Sequence, residues 1–426
     1  MPPEPLGLGV DLGTSGLRLA AVNAGGQLQA ELSANYPALF EDPCGWRDGL
    51  RALCSELPAD LRAAVAAIAI DGTSGTLLIC RPDGGLGPGA LARALPYHLA
   101  CPEWAEGAAD LVGEAGAQTP AASASGSLAR ALRLLEQARQ CSEPGPWWLR
   151  HQADWLMGWL LGDWRWGEEG NNLRLGWDQR KRAWMGRLGE QSWSGALPQM
   201  CGSGEALGRL APTAAAALGL PSECTVVAGT TDASAAALAA DLQPGDGVTV
   251  LGTTLVLKQF SDQPLQGPGI SCQRVAGRWL VGGASNAGAG VLRRFFTDAQ
   301  LMELSRQIDP RRCSGLQLRP LPRPGERFPV DDPELEPVLE PRPVSDALYL
   351  QALLEGLAEI EQAGWRRLQQ LGAPSVQRVI SLGGGARNPQ WRAIRQRVLE
   401  RPVLNRPQCS AALGMAKLAI SAVAAR

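Results

Sequence analysis

Two short runs of glycine and hydroxyl residues have the composition of loops that bind phosphate. The first covers residues 11–16 (DLGTSG), where Gly13 and Gly16 would allow backbone N–H groups to approach an anion. Thr14 and Ser15 add hydroxyl donors. An ordinary tight hairpin has the same composition, so this run alone does not establish a phosphate site.

A second run of the same kind lies far downstream, at residues 251–254 (LGTT). Gly252 again leaves the backbone open, and Thr253 and Thr254 supply hydroxyl groups. One such run is a weak signal, but two that follow similar predicted strands are more specific. The pair predicts two loops, one from each half of the chain, that hold one polyphosphate from both sides.

Two aspartates stand at the ends of predicted strands, where they could assist phosphoryl transfer. Asp11 could hold a magnesium ion through water. Asp232 follows the strand-like residues 225–229 and precedes an alanine-rich segment, so it could simply cap a helix. Because His98 and His151 are the only histidines and neither is suitably placed, Asp232 is also the candidate general base for a hydroxyl proton.

Three consecutive glycines occur within residues 383–388 (GGGARN), shortly before Trp391. Such a run costs backbone entropy, which favours close approach of a ligand over simple turning. Bare backbone at this position would leave room for an adenosine ring. A glycine-rich entry into a helix is the alternative explanation.

These candidate residues follow predicted elements that occur twice in the same order. Residues 6–22 and 247–258 each have the pattern of a hairpin, and residues 65–70 and 376–381 each have the pattern of a strand that ends in a small-residue loop. We expect two related α/β lobes, divided near residues 221–226, with ligands collected at strand ends.

Four other segments have clear patterns. Apolar residues at three-to-four spacing predict helices over residues 128–140 and 153–161. The proline-rich residues 309–346 predict a mostly extended loop. A further helix is predicted after that loop.

Composition narrows the functional classes. The 426 residues are 45% hydrophobic with a formal net charge of −2, which suits two domains and a small-molecule partner. The absence of like-charge runs and of apolar runs of roughly 18 residues argues against nucleic-acid and membrane partners. Ten cysteines without CxxC pairs, and a start without a signal segment, predict a cytoplasmic protein.

Taken in order, several motifs resemble those of the FGGY carbohydrate kinases across nearly the whole chain. They are DLGTSG at 11–16, GTTD at 229–232, GDG at 245–247 with LGTT at 251–254, GERFP at 325–329, EG at 355–356, GGGARN at 383–388 and AALG at 411–414. The resemblance implies an α/β fold of two actin-like (ribonuclease-H-like) domains with an ATP cleft between them, and ATP and Mg²⁺ as cofactors. It implies a sugar-side N-terminal lobe over residues 1–224 and a nucleotide-side C-terminal lobe over residues 225–426.

The resemblance also implies roles for individual residues. Asp232 is the expected catalytic base, and Asp11 and Asp232 are expected at the magnesium, partly through water. The residues expected at ATP are Gly13, Thr14, Ser15, Gly252, Thr253, Thr254, Gly384, Gly385, Ala386, Asn388 and Trp391. Those expected at the sugar are Asp11, Ser15, Thr73, Ser74, Gly75 and Asp232.

The sugar-side loop departs from the xylulokinase pattern. Xylulokinases carry a Met-His pair after the strand that here ends at Ile70, whereas residues 71–76 read DGTSGT. This loop resembles the branch that phosphorylates D-ribulose, with Ser74 as the leading contact and Thr73 and Thr76 behind it. Turn chemistry is the alternative reason for Ser74.

The expected activity is transfer of the γ-phosphate of ATP to the terminal hydroxyl of a ketopentose, with D-ribulose as the leading substrate and a monomer or homodimer as the working form. Xylulose or another pentulose or polyol remains an alternative substrate, because Glu168 precedes Asn171 where the family spaces an Asp and an Asn. From another class, a sugar- or ATP-sensing protein with little transfer activity fits the same loops. An actin-like or chaperone-type ATPase is a third possibility.

Overall fold

The computed structural model describes residues 4–140 and 145–424. The strands are β1 (Leu6–Leu12), β2 (Gly16–Val22), β3 (Leu28–Asn35), β4 (Val65–Gly72), β5 (Leu77–Cys80), β6 (Trp148–His151), β7 (Trp166–Glu168), β8 (Trp177–Asp178), β9 (Ala183–Trp184), β10 (Gln199–Cys201), β11 (Ala206–Arg209), β12 (Thr225–Thr231), β13 (Asp246–Leu251), β14 (Leu255–Ser261), β15 (Ile270–Val275), β16 (Arg278–Ser285), β17 (Arg378–Leu382) and β18 (Val403–Asn405). The helices are α1 (Pro43–Glu56), α2 (Ala59–Ala63), α3 (Ala105–Gly116), α4 (Ser127–Gln140), α5 (Gln152–Leu161), α6 (Pro212–Leu218), α7 (Asp232–Ala239), α8 (Asp298–Gln307), α9 (Asp346–Gln370), α10 (Pro389–Leu399) and α11 (Ala411–Ala424).

The first large sheet has six strands in the order β11-β12-β4-β1-β2-β3. Strands β1, β2 and β3 are antiparallel neighbours, whereas β1, β4 and β12 run parallel to one another. Because parallel strands end at the same edge, the carboxyl ends of β1, β4 and β12 meet there. This edge carries Asp11, Asp71 and Asp232.

The second large sheet repeats this plan in the order β15-β16-β14-β13-β17-β18. Strands β13 and β14 form an antiparallel hairpin with β16 beyond it, and β17 and β18 run parallel to β13 on the other side. Strands β1, β2, β3, β4 and β12 therefore correspond in order and direction to β13, β14, β16, β17 and β18. The predicted duplication of an α/β unit is confirmed.

Helix α11 packs unusually close to β1 because small residues face each other there. A Cβ atom added at Gly9 would lie 2.0 Å from the carbonyl oxygen of Ala412, and one added at Gly7 would lie 2.4 Å from that of Ala416. Real Cβ atoms do not approach backbone so closely, so any larger residue would displace the helix. The two glycines in the opening LGLGV run thus fix α11 on the first sheet.

The chain divides into two compact units at positions that differ from the predicted lobes. The first unit comprises Met1–Ala239, Arg274–Gly277 and Ser410–Arg426, and the second comprises Ala240–Gln273 and Arg278–Cys409. A division at residue 225 would separate β12 from its partner β4 in the first sheet. The expected lobe boundaries also missed α11, because motif order along a chain does not reveal that the chain returns to its first sheet.

A buried ion pair holds two helices of the second unit on their sheet. Glu361 of α9 and Arg395 of α10 are fully buried and lie 2.6 Å apart. Thr249 of β13 donates to Glu361 at 2.5 Å, and Arg395 donates to Ser381 of β17 at 2.5 Å. Each charge therefore has hydrogen-bond partners, which a buried pair requires. The network fixes the two strands whose ends carry the candidate nucleotide loops.

Two predicted helices and the predicted proline-rich loop are present in the structure. The helices predicted over residues 128–140 and 153–161 are α4 and α5, and residues 309–345 contain only isolated bridges, as the proline content predicts. The nine cysteines within the described residues are free thiols. In the same part of the chain, no helix is both long and apolar enough to cross a membrane.

Candidate active site

Three aspartates lie together at the carboxyl ends of β1, β4 and β12. Asp11 pairs laterally with Asp71 on the adjacent parallel strand, and Asp71 pairs with Thr230 on the next one. Asp232 begins α7 directly after β12, and its Oδ1 accepts from the Ala233 N–H at 2.7 Å. The predicted Asp11 and Asp232 are thus brought together, with the strand of Asp71 between theirs.

Burial determines which of these carboxyl groups holds a proton. Asp71 is fully buried, and no donor outside the Asp11–Asp71 pair reaches either of its oxygens within the described residues. Lost hydration, and then repulsion from Asp11 and Asp232, raise the pKa of Asp71 well above its usual range. Burial raises the pKa of Asp11 too, against the opposing effects of its hydrogen bond with Asp71 and of Arg18. Of these two adjacent carboxyl groups, Asp71 therefore holds its proton more tightly.

Asp71 was not among the residues expected at the site. Its signal in the sequence is an acidic residue at the end of the apolar strand β4, where an unpaired charge is costly. Such a residue needs a partner or a function. The sequence does not show that β4 lies beside β1, which is what places Asp71 next to Asp11.

The first candidate phosphate loop, residues 13–15, is held at the end of β1 by two tyrosines. Thr14 and Ser15 are exposed, so their hydroxyl groups are accessible. The Tyr36 hydroxyl donates to the Gly13 carbonyl oxygen at 2.8 Å, and the Thr14 hydroxyl lies 3.4 Å from that of Tyr97. The expected residues Gly13, Thr14 and Ser15 share one short loop beside Asp11.

Gly16 is required by close packing against a neighbouring strand, whereas the sequence suggested that it gives an anion access to the backbone. A Cβ atom there would lie 2.2 Å from the carbonyl oxygen of Ala34 on β3. The close neighbouring strand therefore requires Gly16, whether or not an anion binds. Gly13 is less restricted, because a Cβ atom there would meet only the Gly16 carbonyl oxygen, at 3.2 Å.

The sugar-side loop after β4 is built on a chain of hydrogen bonds. The Tyr97 N–H donates to Thr76 at 3.2 Å, the hydroxyls of Thr76 and Thr73 lie 2.6 Å apart, and Thr73 donates to Gln152 at 2.8 Å. Thr73 is 5% exposed and Thr76 is fully buried. Both threonines therefore support the loop from behind, and the expected sugar contact through the Thr73 hydroxyl is replaced by a bond to Gln152. Ser74 is the half-buried hydroxyl of this loop.

Gly75 has a positive φ of 108° and lies against a group of polar side chains. A Cβ atom at Gly75 would lie 3.6 Å from each of Arg174, Ser127 and Tyr97. The Ser127 hydroxyl is 2.9 Å from His151 Nε2. Sequence reasoning found Ser74 and Gly75 but missed these neighbours, which come from distant parts of the chain.

Glu168, which stands where the family usually has an aspartate, organises the turn that follows it. Its carboxylate accepts from the N–H groups of Gly170 at 2.8 Å and Asn171 at 2.9 Å. Complete burial raises the pKa of Glu168 to about 8. Asp154 accepts from the Glu168 N–H at 3.0 Å and from the Asn172 side chain at 3.0 Å. These bonds fix the backbone that carries Arg174.

In the second unit, the loop after β13 is closed partly by its own backbone. The Gly252 N–H donates to the Thr254 carbonyl oxygen at 3.2 Å, so this N–H does not point freely at a ligand. The carbonyl oxygens of Gly252 and Thr253 accept from residues 289 and 290. The exposed Thr253 and the half-buried Thr254 retain accessible surface.

A cavity of about 650 Å³ lies beside this loop in the second unit. Its wall includes Gly252, Thr253, Gly384, Gly385, Asn388 and Trp391. Apolar side chains from the segment after β16 and from α8 and α9 complete it, among them Leu292, Leu301, Leu350 and Leu354. A cavity of this size with mixed apolar and polar walls suits a nucleoside.

The glycine run after β17 contains two different kinds of glycine. A Cβ atom at Gly384 would meet nothing within 4 Å, whereas one at Gly385 would lie 2.4 Å from the Trp391 ring. Gly384 therefore leaves open space at the cavity, and Gly385 allows Trp391 to pack. Gly383, with a φ of 82°, forms the turn itself.

Two of the residues expected at the nucleotide, Ala386 and Thr254, do not line the cavity, and the side chain of a third, Asn388, already makes hydrogen bonds within the protein. Ala386 is 2% exposed within the apolar core, and neither it nor Thr254 lies on the cavity wall. Asn388 lines the cavity but its side chain is engaged, because it accepts from the Trp391 N–H at 3.0 Å and donates to Ser305 at 2.9 Å. Asn388 is thus the N-cap of α10.

The acidic residues suit a cation that the protein holds only in part. No group of three or more His, Cys, Asp or Glu within the described residues has the arrangement of a metal site. Magnesium in phosphoryl-transfer sites takes one or two carboxylates and fills its remaining positions with phosphate oxygens and water. The half-buried Asp11 and Asp232 fit that requirement.

The chain is similar in fold, over almost its whole length, to solved kinase structures. These include a xyloylose kinase from Brucella ovis (21% identity, 99% of this chain and 91% of that chain covered, TM-score 0.83). They also include a xylulose kinase from Rhodospirillum rubrum (22% identity, 99% and 90% covered, TM-score 0.80). A glycerol kinase from Plasmodium falciparum solved with ADP is similar as well (14% identity, 100% and 90% covered, TM-score 0.80).

The second half of the sequence matches a family model. Residues 247–423 match the model described as the C-terminal domain of the FGGY family of carbohydrate kinases. This match begins in β13 and includes the cavity wall and most of α11. Residues 247–423 thus have the sequence of an FGGY carbohydrate kinase C-terminal domain, and nearly the whole chain has the fold of these solved kinases.

Proposed function

We propose that the chain transfers the γ-phosphate of ATP to the terminal hydroxyl of D-ribulose and releases D-ribulose 5-phosphate. The observation that carries this proposal is the group of Asp11, Asp71 and Asp232 at one sheet edge, on the same strand end as the loop of Ser74. A carboxylate base is what a hydroxyl acceptor needs in a site without a suitable histidine. The match of residues 247–423 to the C-terminal domain of FGGY carbohydrate kinases supports the reaction class.

Asp232 accepts the proton of the sugar hydroxyl as that oxygen attacks the γ-phosphate in line. Asp71 stays neutral because it is buried and repelled by its two neighbours. A third negative charge would repel the incoming phosphate, so the neutral form of Asp71 favours binding. Ser74 donates a hydrogen bond to the sugar and thereby orients it.

The cavity of the second unit takes the adenosine, with Gly384 leaving room for the ring. The hydroxyls of Thr14 and Ser15 in the first unit are exposed and can donate to phosphate oxygens, and so can the exposed Thr253 hydroxyl in the second unit. Asp11 and Asp232 would hold magnesium, partly through water, and the bound ion would stabilise charge on the transferring phosphoryl group.

A second candidate substrate is D-xylulose, because several structures with the same fold are described as xylulose kinases. The absence of a Met-His pair from residues 71–76 favours D-ribulose instead. Other pentuloses and polyols belong to the same alternative. From another class, a sugar- or ATP-sensing protein would bind the same ligands with little turnover.

One coupled measurement of ADP release separates these candidates. The purified chain is supplied with ATP and Mg²⁺ and with D-ribulose, L-ribulose, D-xylulose, ribitol or glycerol in turn. We expect the highest kcat/KM with D-ribulose. A preference for D-xylulose would assign the alternative substrate, and ADP release that needs no sugar would indicate an ATPase.

Calorimetry of sugar binding completes that experiment. Binding of D-ribulose without sugar-dependent ADP release would support the sensor in place of the kinase. The Asp232→Asn variant is the matched control, because it keeps the shape of the side chain and removes the proton acceptor. Its ADP release should not rise when sugar is added.

A further inference from the structure

The guanidinium group of Arg174 has no hydrogen-bond or ion-pair partner among the described residues. Its Nε is buried without an acceptor, and no hydrogen bond or ion pair to any of its nitrogens occurs within the described residues. The side chain is half-buried, so water satisfies only part of its hydrogen-bonding capacity. A partly desolvated cation without an acceptor is costly, which indicates that something else supplies one.

The neighbouring Arg130 differs from Arg174 because backbone carbonyl oxygens accept hydrogen bonds from its guanidinium group. Arg130 is fully buried, and its Nε donates to the Pro96 carbonyl oxygen at 3.0 Å while Nη1 donates to that of Ser125 at 3.1 Å. Burial and then the charge of Arg174 lower the pKa of Arg130 to about 10. The two cations repel each other. Arg130 is held by the backbone, but Arg174 is not.

Burial lowers the pKa of Arg174, with no carboxylate contributing an opposite effect. The place is therefore electropositive. Arginine remains charged even so, because its pKa starts far above neutral. An oxygen that can only accept, such as a ketone or carboxylate oxygen, suits this place better than a hydroxyl, whose own proton would need an acceptor.

The backbone around Arg174 is fixed, so its side chain starts from a defined point. Arg174 lies in the short helical turn Asn171–Leu175, which Glu168 holds through the Asn171 N–H at 2.9 Å. Leu175 is fully buried, and Gly176 ends the turn with a φ of 108°. A side chain that is half-buried on such a turn loses little further freedom when it binds a ligand.

Arg174 also lies at the sugar-side loop. Its Cδ would be 3.6 Å from a Cβ atom at Gly75, the residue next to Ser74. Tyr97 approaches the same point at 3.6 Å and its hydroxyl lies 3.4 Å from that of Thr14. The Arg174 side chain thus passes beside Gly75, the neighbour of the residue we expect to contact the sugar.

We propose that Arg174 determines substrate specificity by donating hydrogen bonds to an sp² oxygen at the end of the substrate remote from the transferred phosphate. This inference rests on the proposed sugar kinase activity. In D-ribulose that oxygen is the C2 ketone. The planar guanidinium group also fits a carboxylate. D-Ribonate, which has a carboxylate at that end, therefore tests the same hydrogen bonding.

The test compares three five-carbon substrates that differ at this end: D-ribulose, ribitol, in which the ketone is an alcohol, and D-ribonate. We expect the wild-type chain to prefer D-ribulose to ribitol. Arg174→Ala should lower kcat/KM for D-ribulose about 10- to 100-fold, mainly through KM, and change kcat/KM for ribitol much less. Arg174→Lys keeps the charge but not the fork and should recover only part of the loss.

Arg133→Ala is the matched control, since Arg133 is another half-buried arginine of the first unit. It should leave the preference between the two substrates unchanged, and the KM for ATP should stay constant in all variants. Unfolding temperatures measured in parallel show whether a variant is folded. Equal losses on D-ribulose and ribitol, or no loss on either, would overturn the inference while leaving the kinase activity in place.

Two other outcomes separate this inference from the proposed function. If the wild type prefers D-ribonate to D-ribulose and Arg174→Ala removes that preference, the role of Arg174 stands and the proposed substrate is wrong. If no sugar is phosphorylated, calorimetry of D-ribulose and ribitol binding decides instead. Equal affinity of the wild type and Arg174→Ala for D-ribulose would then refute the inference.

Discussion

Among single residues, Asp71 has the clearest effect on its neighbours. It is fully buried beside Asp11, and it feels the charge of Asp232 as well. Three ionised carboxylates so close would repel each other and any phosphate. A proton held on Asp71 would reduce this repulsion, in keeping with the roles proposed for Asp232 as base and Asp11 at a cation.

The first prediction concerns the general base. Replacement of Asp232 by Ala should lower kcat by roughly 10²–10⁴-fold, because proton removal from the hydroxyl is then unassisted. ATP binding, followed by calorimetry, should persist, since the nucleotide cavity lies in the second unit. Asp262→Ala is the control, as Asp262 is an exposed aspartate. Near-wild-type turnover of the Asp232→Ala variant would exclude it from the mechanism.

The second prediction concerns pH and Asp71. The folded chain binds the Asp71 proton more tightly than the unfolded chain, whose Asp has its ordinary pKa near 3.8. Stability therefore falls as pH rises above about 4, by up to about 1.4 kcal/mol per pH unit, until the folded-state pKa is passed. Asp71→Asn removes this dependence. The difference in the free energy of unfolding between the variant and the wild type should therefore shift in favour of the variant as pH rises.

Urea unfolding of both proteins between pH 4 and pH 8, with EDTA present, measures this difference. Asp262→Asn serves as the control, because its exposed carboxyl should give no such trend. A difference between Asp71→Asn and wild type that stays constant with pH would show that Asp71 is ionised throughout.

Among structural elements, the loops of the first unit are joined by one hydrogen-bonded network. Thr73 donates to Gln152 at 2.8 Å, Gln152 donates to Tyr36 at 3.5 Å, and Tyr36 donates to Gly13 at 2.8 Å. The sugar-side loop and the first phosphate loop are therefore connected through α5 and the end of β3. A shift in one loop would be felt in the other.

The third prediction distinguishes the two glycines after β17. Gly385→Ala places a Cβ atom 2.4 Å from the Trp391 ring, so we expect a loss of about 1–3 kcal/mol in the free energy of unfolding. Gly384→Ala meets nothing within 4 Å and should leave stability nearly unchanged while weakening ATP binding at the cavity. Urea unfolding and ATP calorimetry of the two variants check this contrast. Equal ATP affinity of Gly384→Ala and wild type would mean that Gly384 does not face the nucleotide.

The sequence allowed the hairpins, the later strands and the duplicated plan to be predicted, because each element has a local signal of apolar runs and small-residue turns. Asp11 and Asp232 could be found because each stands at such a strand end. Gln152 and Arg174 could not, since only tertiary packing brings them to the loop after β4. Asn388 lies on the cavity wall, but the sequence did not show that its side chain also caps α10.

At the scale of the whole chain, the first unit is built from separated segments. Residues 1–239 provide its large sheet, and α11, from the far end of the described chain, covers one face of β1. The contact depends on backbone approach at Gly7 and Gly9. The first unit therefore cannot complete its core from the first half of the sequence.

The fourth prediction follows from this arrangement. A chain truncated after Cys409 should lose protection from hydrogen exchange in β1 and β4, because α11 no longer covers them, while the second unit keeps its protection. Full-length Gly9→Val should show the same pattern, since its Cβ would lie 2.0 Å from the Ala412 carbonyl oxygen. Gly189→Ala, where a Cβ meets nothing within 4 Å, is the control. Unchanged exchange of β1 in the truncated chain would show that α11 is dispensable.

The position of α11 also sets an order of events on the ribosome. About 170 residues separate Ala239 from Ser410, and at ordinary rates of translation they take roughly 10–30 s to synthesise. During that interval β1 is already outside the exit tunnel with one apolar face uncovered. The second unit is complete first, although its residues are made later than most of the first. We therefore expect a nascent chain that stalls within that interval to bind chaperones that recognise apolar strands.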